Sequence, residues 1–127
     1  RLAESIKKQP DAGLFTCRVN KQHPGNESQS MHIEQDMNDA ERLRVASQVR
    51  DVGRSHVSRV GTDNHHVISG CWFAVNLDAV FVAGGFAAGV QGVDWDIHRK
   101  LDRAGYSAYV IEGLFCWHRY RHRLEVG

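Results

Sequence analysis

The chain has 127 residues, of which 42% are hydrophobic, 24% charged and 9% aromatic. That is the make-up of one soluble globular domain, and it is too short for a second of ordinary size. A chain of this length buries roughly 65% of the surface its unfolded form exposes, so its core needs no disulfide framework or structural metal. Sixteen Lys plus Arg against fifteen Asp plus Glu leave a net charge of +1, which implies no strongly polyanionic or polycationic partner.

Residues 2–8 are expected to form a short helix ahead of Pro10, and residues 14–19 (LFTCRV) a strand. Residues 20–38 are a polar tract relieved by Met31, Ile33 and Met37 and turned at Pro24-Gly25, read as an exposed loop or a partly disordered segment. Residues 39–52 give the clearest helix: Ala40, Leu43, Ala46, Val49 and Val52 recur every three residues, Asn38 caps its start and Gly53 supplies its stop. Residues 55–60 read as a short strand followed by the turn Gly61-Thr62-Asp63-Asn64. Residues 66–75 and 79–83 read as two core strands around Asn76-Leu77-Asp78, with a helix over the same apolar run as the alternative.

Residues 84–92 hold four glycines and suit a close-packed bend, and they match neither a phosphate loop nor a dinucleotide fingerprint. Asp94 or Asp96 then caps a helix through Ala104, with Ile97, Leu101 and Ala104 inward and Gly105 at its end. Residues 106–111 and 114–124 read as a closing hairpin joined at Glu112-Gly113. The expected fold is therefore α+β: one compact domain over residues 1–127, with two helices packed on a mainly antiparallel sheet and a core centred on residues 67–83. Residues 71–90 are long enough to span a bilayer, but Asn76, Asp78 and Gly84-Gly85 interrupt them. A core hairpin is the better reading, and no integral membrane segment is expected.

Cys17, Cys71 and Cys116 lie 54 and 45 residues apart, with no CxxC pair and no zinc-ribbon spacing. An odd count leaves at least one free thiol and points to a cytoplasmic or other reducing compartment. Asn26-Glu27-Ser28 fits a glycosylation acceptor, relevant only to an exported chain. The first residue is Arg1, so the chain reads as a processed or excised piece.

The most suggestive string is Gly70-Cys71-Trp72-Phe73-Ala74. A thiol becomes a competent nucleophile when its pKa falls, as a helix N-terminus or a neighbouring imidazole can arrange. The string resembles the surroundings of the nucleophile in papain-like cysteine peptidases, where Cys-Trp opens a core helix. The resemblance covers about five residues and implies Cys71 as nucleophile, Trp72 as packing residue and His98 or His118 as base. No glutamine stands shortly before Cys71 to complete an oxyanion hole. The activity implied is attack on a peptide or amide carbonyl through a thioester, with no cofactor and a peptide or protein substrate.

Two other constellations compete with that reading. On a strand Phe115, Trp117, Arg119, Arg121 and Arg123 share a face, combining stacking surface with positive charge as a single-stranded nucleic-acid site does. Trp117, Arg119, Arg121 and Arg123 are the residues of that alternative, and a non-catalytic protein-interaction domain is the third. Cys116, His118 and His122, His65-His66, or Asp94, Asp96 and His98 offer metal ligands, but spacing selects none of them, so no metal site is assigned. Asp94 and Asp96 also suggest a proton-sharing acid pair, although helix capping explains them better.

Overall fold

Two apolar, β-prone stretches near opposite ends of the chain, residues 12–19 and 107–116, become the central strands. A computed structural model describes residues 2–20, 29–33, 35–61, 68, 70–87, 89 and 92–118. In chain order its elements are α1 (Leu2–Lys8), β1 (Ala12–Val19), α2 (Asp39–Gly53), β2 (Val57–Arg59), β3 (Phe73–Val75), α3 (Leu77–Val82), α4 (Val93–Arg103) and β4 (Ser107–Cys116). The strands form one sheet in the order β2-β4-β1-β3. β1 and β4 pair in parallel at its centre, and the short edge strands β3 and β2 pair antiparallel to β1 and β4.

Because successive strand residues point to opposite faces, a strand buried at every step needs cover on both. Leu14 and Val110 pack with Ile68, Val80, Ile97 and Leu101, the last two on α4. Their neighbours Phe15 and Tyr109 belong to a second cluster with Ala12 and Ile111, over which Leu2 of α1 and Trp72 pack. The core is thus centred on β1 and β4. The segment at 67–83 expected to be its centre supplies Ile68, Ala79 and Val80 as buried members.

The expected arrangement of two helices on a mainly antiparallel sheet is overturned: the described residues hold four helices and a four-stranded mixed sheet whose central pair is parallel. Three local readings account for the difference. Residues 77–82 are helix α3 and not a strand, because Asn76 is an N-cap whose side chain accepts from the N–H groups of Asp78 (3.0 Å) and Ala79 (3.2 Å). The closing hairpin is instead one parallel strand, β4, in which residues 112–114 form an excursion rather than a turn. Asp94 and Asp96 lie in the first turn of α4, whose cap position is Gly92 (φ 70°) with no side-chain cap.

α2 keeps its predicted start through a capping box, with the Glu41 N–H donating to Asn38 Oδ1 (2.9 Å) and the Asn38 N–H to Glu41 Oε1 (3.2 Å). Its apolar positions do not share one buried face. A strict three-residue step falls about 60° short of a full turn each time, so Val49 is buried while Leu43 is 70% and Val52 83% exposed. Helix α1, the start of α2 and the Gly105 stop of α4 (φ 91°) match the expectation. Among the described residues no helix is long and apolar enough to cross a membrane.

Candidate functional site

The sheet register brings together three cysteines that the sequence holds far apart. Cys17 lies in β1 opposite Ile111 of β4. An uninterrupted register would then set Gly113 opposite Val19. Glu112, Gly113 and Leu114 instead bulge out of the ladder, so that Arg18 faces Phe115 and Val19 faces Cys116. The excursion carries Cys116 back to the level of Val19, two residues from Cys17 and on the same face of β1. Cys71 arrives from the other side of β1, in the turn at residues 70–72 that leads into β3. The three sulfurs all lie within 4.8 Å of one another.

Each arm of this cluster is held by identifiable bonds. Thr16 Oγ1 donates to the Trp72 carbonyl (2.9 Å), tying the Cys71 turn to the residue before Cys17. The buried Gln29 amide donates to Thr16 Oγ1 (2.9 Å) and to the Cys17 carbonyl (3.1 Å). Arg18 grips the excursion by a two-pronged ion pair, Nε to Glu112 Oε1 and Nη2 to Glu112 Oε2, both 2.7 Å. The end of α2 closes on the same place: a Cβ on Gly53 would land on the Glu112 carbonyl group and the Gly113 nitrogen.

All three thiols are free of disulfides, Cys17 being buried and Cys71 and Cys116 partly exposed. The Cys17 thiol is pushed far up, first by its hydrogen bond with Cys71 and then by burial. Cys116 is pushed up as well, first by burial and then by the charge of Cys71. Each effect opposes putting negative charge among neighbouring sulfurs in a poorly hydrated site. A bound cation reverses that balance, since coordination deprotonates a thiol outright. Zinc at about 2.3 Å from each sulfur sets tetrahedral sulfurs about 3.8 Å apart, so the observed cluster needs a contraction of about 1 Å at most.

The other predicted site residues stand on separate elements. His98 is buried on α4, and the first turn of that helix reaches the Cys71 turn through Asp94, whose side chain lies against Gly70. His118 follows the end of β4, its backbone clamped by Asn20: the His118 N–H donates to Asn20 Oδ1 (2.6 Å) and Asn20 Nδ2 to the His118 carbonyl (3.1 Å). Cys71 precedes a strand, whereas the peptidase resemblance implies that it opens a helix. Trp117 and Phe115 line one shallow cleft with residues of α2, and the Arg42 guanidinium stands 4.7 Å from the centre of the Trp117 ring. Arg119, Arg121 and Arg123, together with His65, His66, His122 and Asn26-Glu27-Ser28, lie outside the described residues.

Asp94 and Asp96 do not act as an acid pair: Asp94 Oδ1 accepts from the Trp95 N–H (3.0 Å), whereas Asp96 pairs with Lys100 (3.0 Å). The grouping that sequence reasoning missed is Cys17 with Cys116. Each stands in an expected strand, but nothing in the hydrophobic pattern pairs those two strands, which the structure sets side by side in parallel. Searches against family models, curated proteins and solved structures find no match for this chain.

Proposed function

We propose that this domain binds a thiophilic metal ion of the zinc class through Cys17, Cys71 and Cys116. The observation that carries the reading is the convergence of all three cysteines of the chain, from two strands and a turn, to within 4.8 Å. Three thiolates suit borderline and soft ions, and a divalent ion leaves a net charge of −1 where a monovalent one leaves −2. In a site where burial already opposes ionisation, the divalent ion is favoured.

Titration of the reduced protein with Co²⁺ tests this. Thiolate-to-cobalt charge-transfer absorption should saturate at one equivalent, disappear on addition of Zn²⁺, and weaken sharply in Cys17→Ala, Cys71→Ser and Cys116→Ser. Absorption that is absent, or unchanged in all three variants, contradicts the reading.

A second reading keeps Cys71 as the nucleophile of a peptide or amide hydrolase with His98 as its base. It is favoured by the contact of Gly70 with Asp94, one helical turn before His98 on the same face of α4. The two readings part on one measurement. A metal ligand is protected from a small alkylating reagent by one equivalent of Zn²⁺, whereas an activated nucleophile is labelled faster than in the denatured chain whether or not Zn²⁺ is present.

A further inference from the structure

The three thiols are not equivalent, and their differences follow from the elements that carry them. Cys17 has no exposed surface, sits in a central strand, and its carbonyl is held by the buried Gln29. Cys71 and Cys116 are both partly exposed, one in a turn and the other at the last residue of β4. A dissolved oxidant therefore meets Cys71 and Cys116 first. Both lie where the backbone can yield, and their sulfurs are already within 4.8 Å. A disulfide needs sulfurs about 2.05 Å apart and Cβ atoms about 3.8 Å apart. The two approach from opposite sides of β1, so joining them takes backbone movement at these two element ends as well as side-chain rotation, whereas Cys17 would have to distort a doubly covered strand.

Resting on the metal-binding reading, we infer that the centre is redox-gated: a peroxide joins Cys71 to Cys116 and thereby expels the ion, leaving Cys17 reduced. The Cys71 thiolate attacks one peroxide oxygen and the O–O bond breaks, giving a sulfenic acid and, after protonation of the departing oxygen, one water. Cys116 then attacks the Cys71 sulfur. The S–O bond breaks, a second water leaves and the S–S bond forms. The two thiols lose two electrons, which reduce one peroxide to two waters. Starting from metal-bound thiolates, the two protons that complete those waters come from solvent. The one remaining thiolate cannot replace three ligands, and a dithiol reductant restores the site by exchange.

The test uses the zinc-loaded chain, hydrogen peroxide, a chromogenic zinc chelator and peptide mapping. Release of one equivalent of zinc, a Cys71–Cys116 disulfide and a Cys17 that is alkylated only after denaturation are expected, with full reloading after dithiothreitol. Cys17→Ala should still form the same disulfide, which keeps the pairing testable independently of metal affinity. Cys116→Ser should form no intramolecular link between the two partly exposed positions. Zinc that stays bound after oxidation, or a disulfide formed chiefly through Cys17, overturns the gating and leaves the metal site standing. A reduced chain that takes up no zinc removes both.

Discussion

Cys17 combines a sulfur that behaves as a small apolar group in a core with two thiol neighbours that a core does not require. Replacing it separates the two roles. Cys17→Ala keeps a small apolar side chain, so the metal-free protein should lose only about 1 kcal/mol, while zinc affinity should fall at least tenfold, the scale even of outer-shell losses. Denaturant melts with and without zinc check both numbers, and equal zinc stabilisation of wild type and variant would remove Cys17 from the ligand set. At the opposite end of β1, the Tyr109 hydroxyl donates to both carboxylate oxygens of Asp11 (2.9 and 2.8 Å). With Ser107, that bond holds the Asp11 carboxyl below its ordinary value of 3.8. A depressed carboxylate contributes stability that is present above its unfolded pKa and lost as pH falls through the folded one. The stability difference between wild type and Asp11→Asn should therefore be widest near neutrality and shrink below pH 3.8. A difference that does not change with pH would assign the effect to packing.

At the scale of elements, the proposed centre depends on the excursion at residues 112–114, which delivers Cys116 to the level of Val19, two residues from Cys17 on the same face of β1. Two side-chain features hold it, and each makes a prediction with a definite sign. Glu112→Ala removes a two-pronged ion pair whose side chains are 25% and 17% exposed. It should cost about 1.5–3 kcal/mol and weaken zinc binding although Glu112 is no ligand. Gly53→Ala tests the other support. In an open helix this change stabilises by roughly 0.5–1 kcal/mol, but here the new methyl meets the Glu112 carbonyl. Loss of about 1–3 kcal/mol is expected from such overpacking, measured by chemical denaturation, and a gain would mean that α2 does not press on the excursion. Local signals of this kind were legible in part. Asn38 announces α2, and Gly105 the end of α4. Asn76 reads as a turn residue yet caps α3, because an Asx residue serves a turn and a helix cap equally well. Glu112-Gly113 reads as a hairpin turn yet lies in a strand excursion, because a bulge and a hairpin turn use the same residue types.

For the molecule as a whole, the decisive contact is the parallel pairing of β1 with β4, whose paired residues stand about 95 apart in sequence. Hydrophobic pattern identifies both strands, but it carries no information about which strand lies beside which, or in what direction. For that reason the chemistry of Cys71 was legible as that of a lone thiol, while its partners Cys17 and Cys116 were not. The fold brings the three cysteines together without a spacing motif. Two central strands and one turn set the three cysteine positions, so the proposed centre would need no local CxxC loop. Metal that binds the native state alone should stabilise the entire fold, by about 2.7 kcal/mol at a hundred times its dissociation constant, and chelation should reverse this. X-ray absorption at the zinc edge of the reduced, zinc-loaded chain tests the central claim most directly. Three sulfurs at about 2.3 Å are expected around one zinc, falling to two in Cys17→Ala. A first shell of nitrogen and oxygen alone, or a shell unchanged by that substitution, would contradict it.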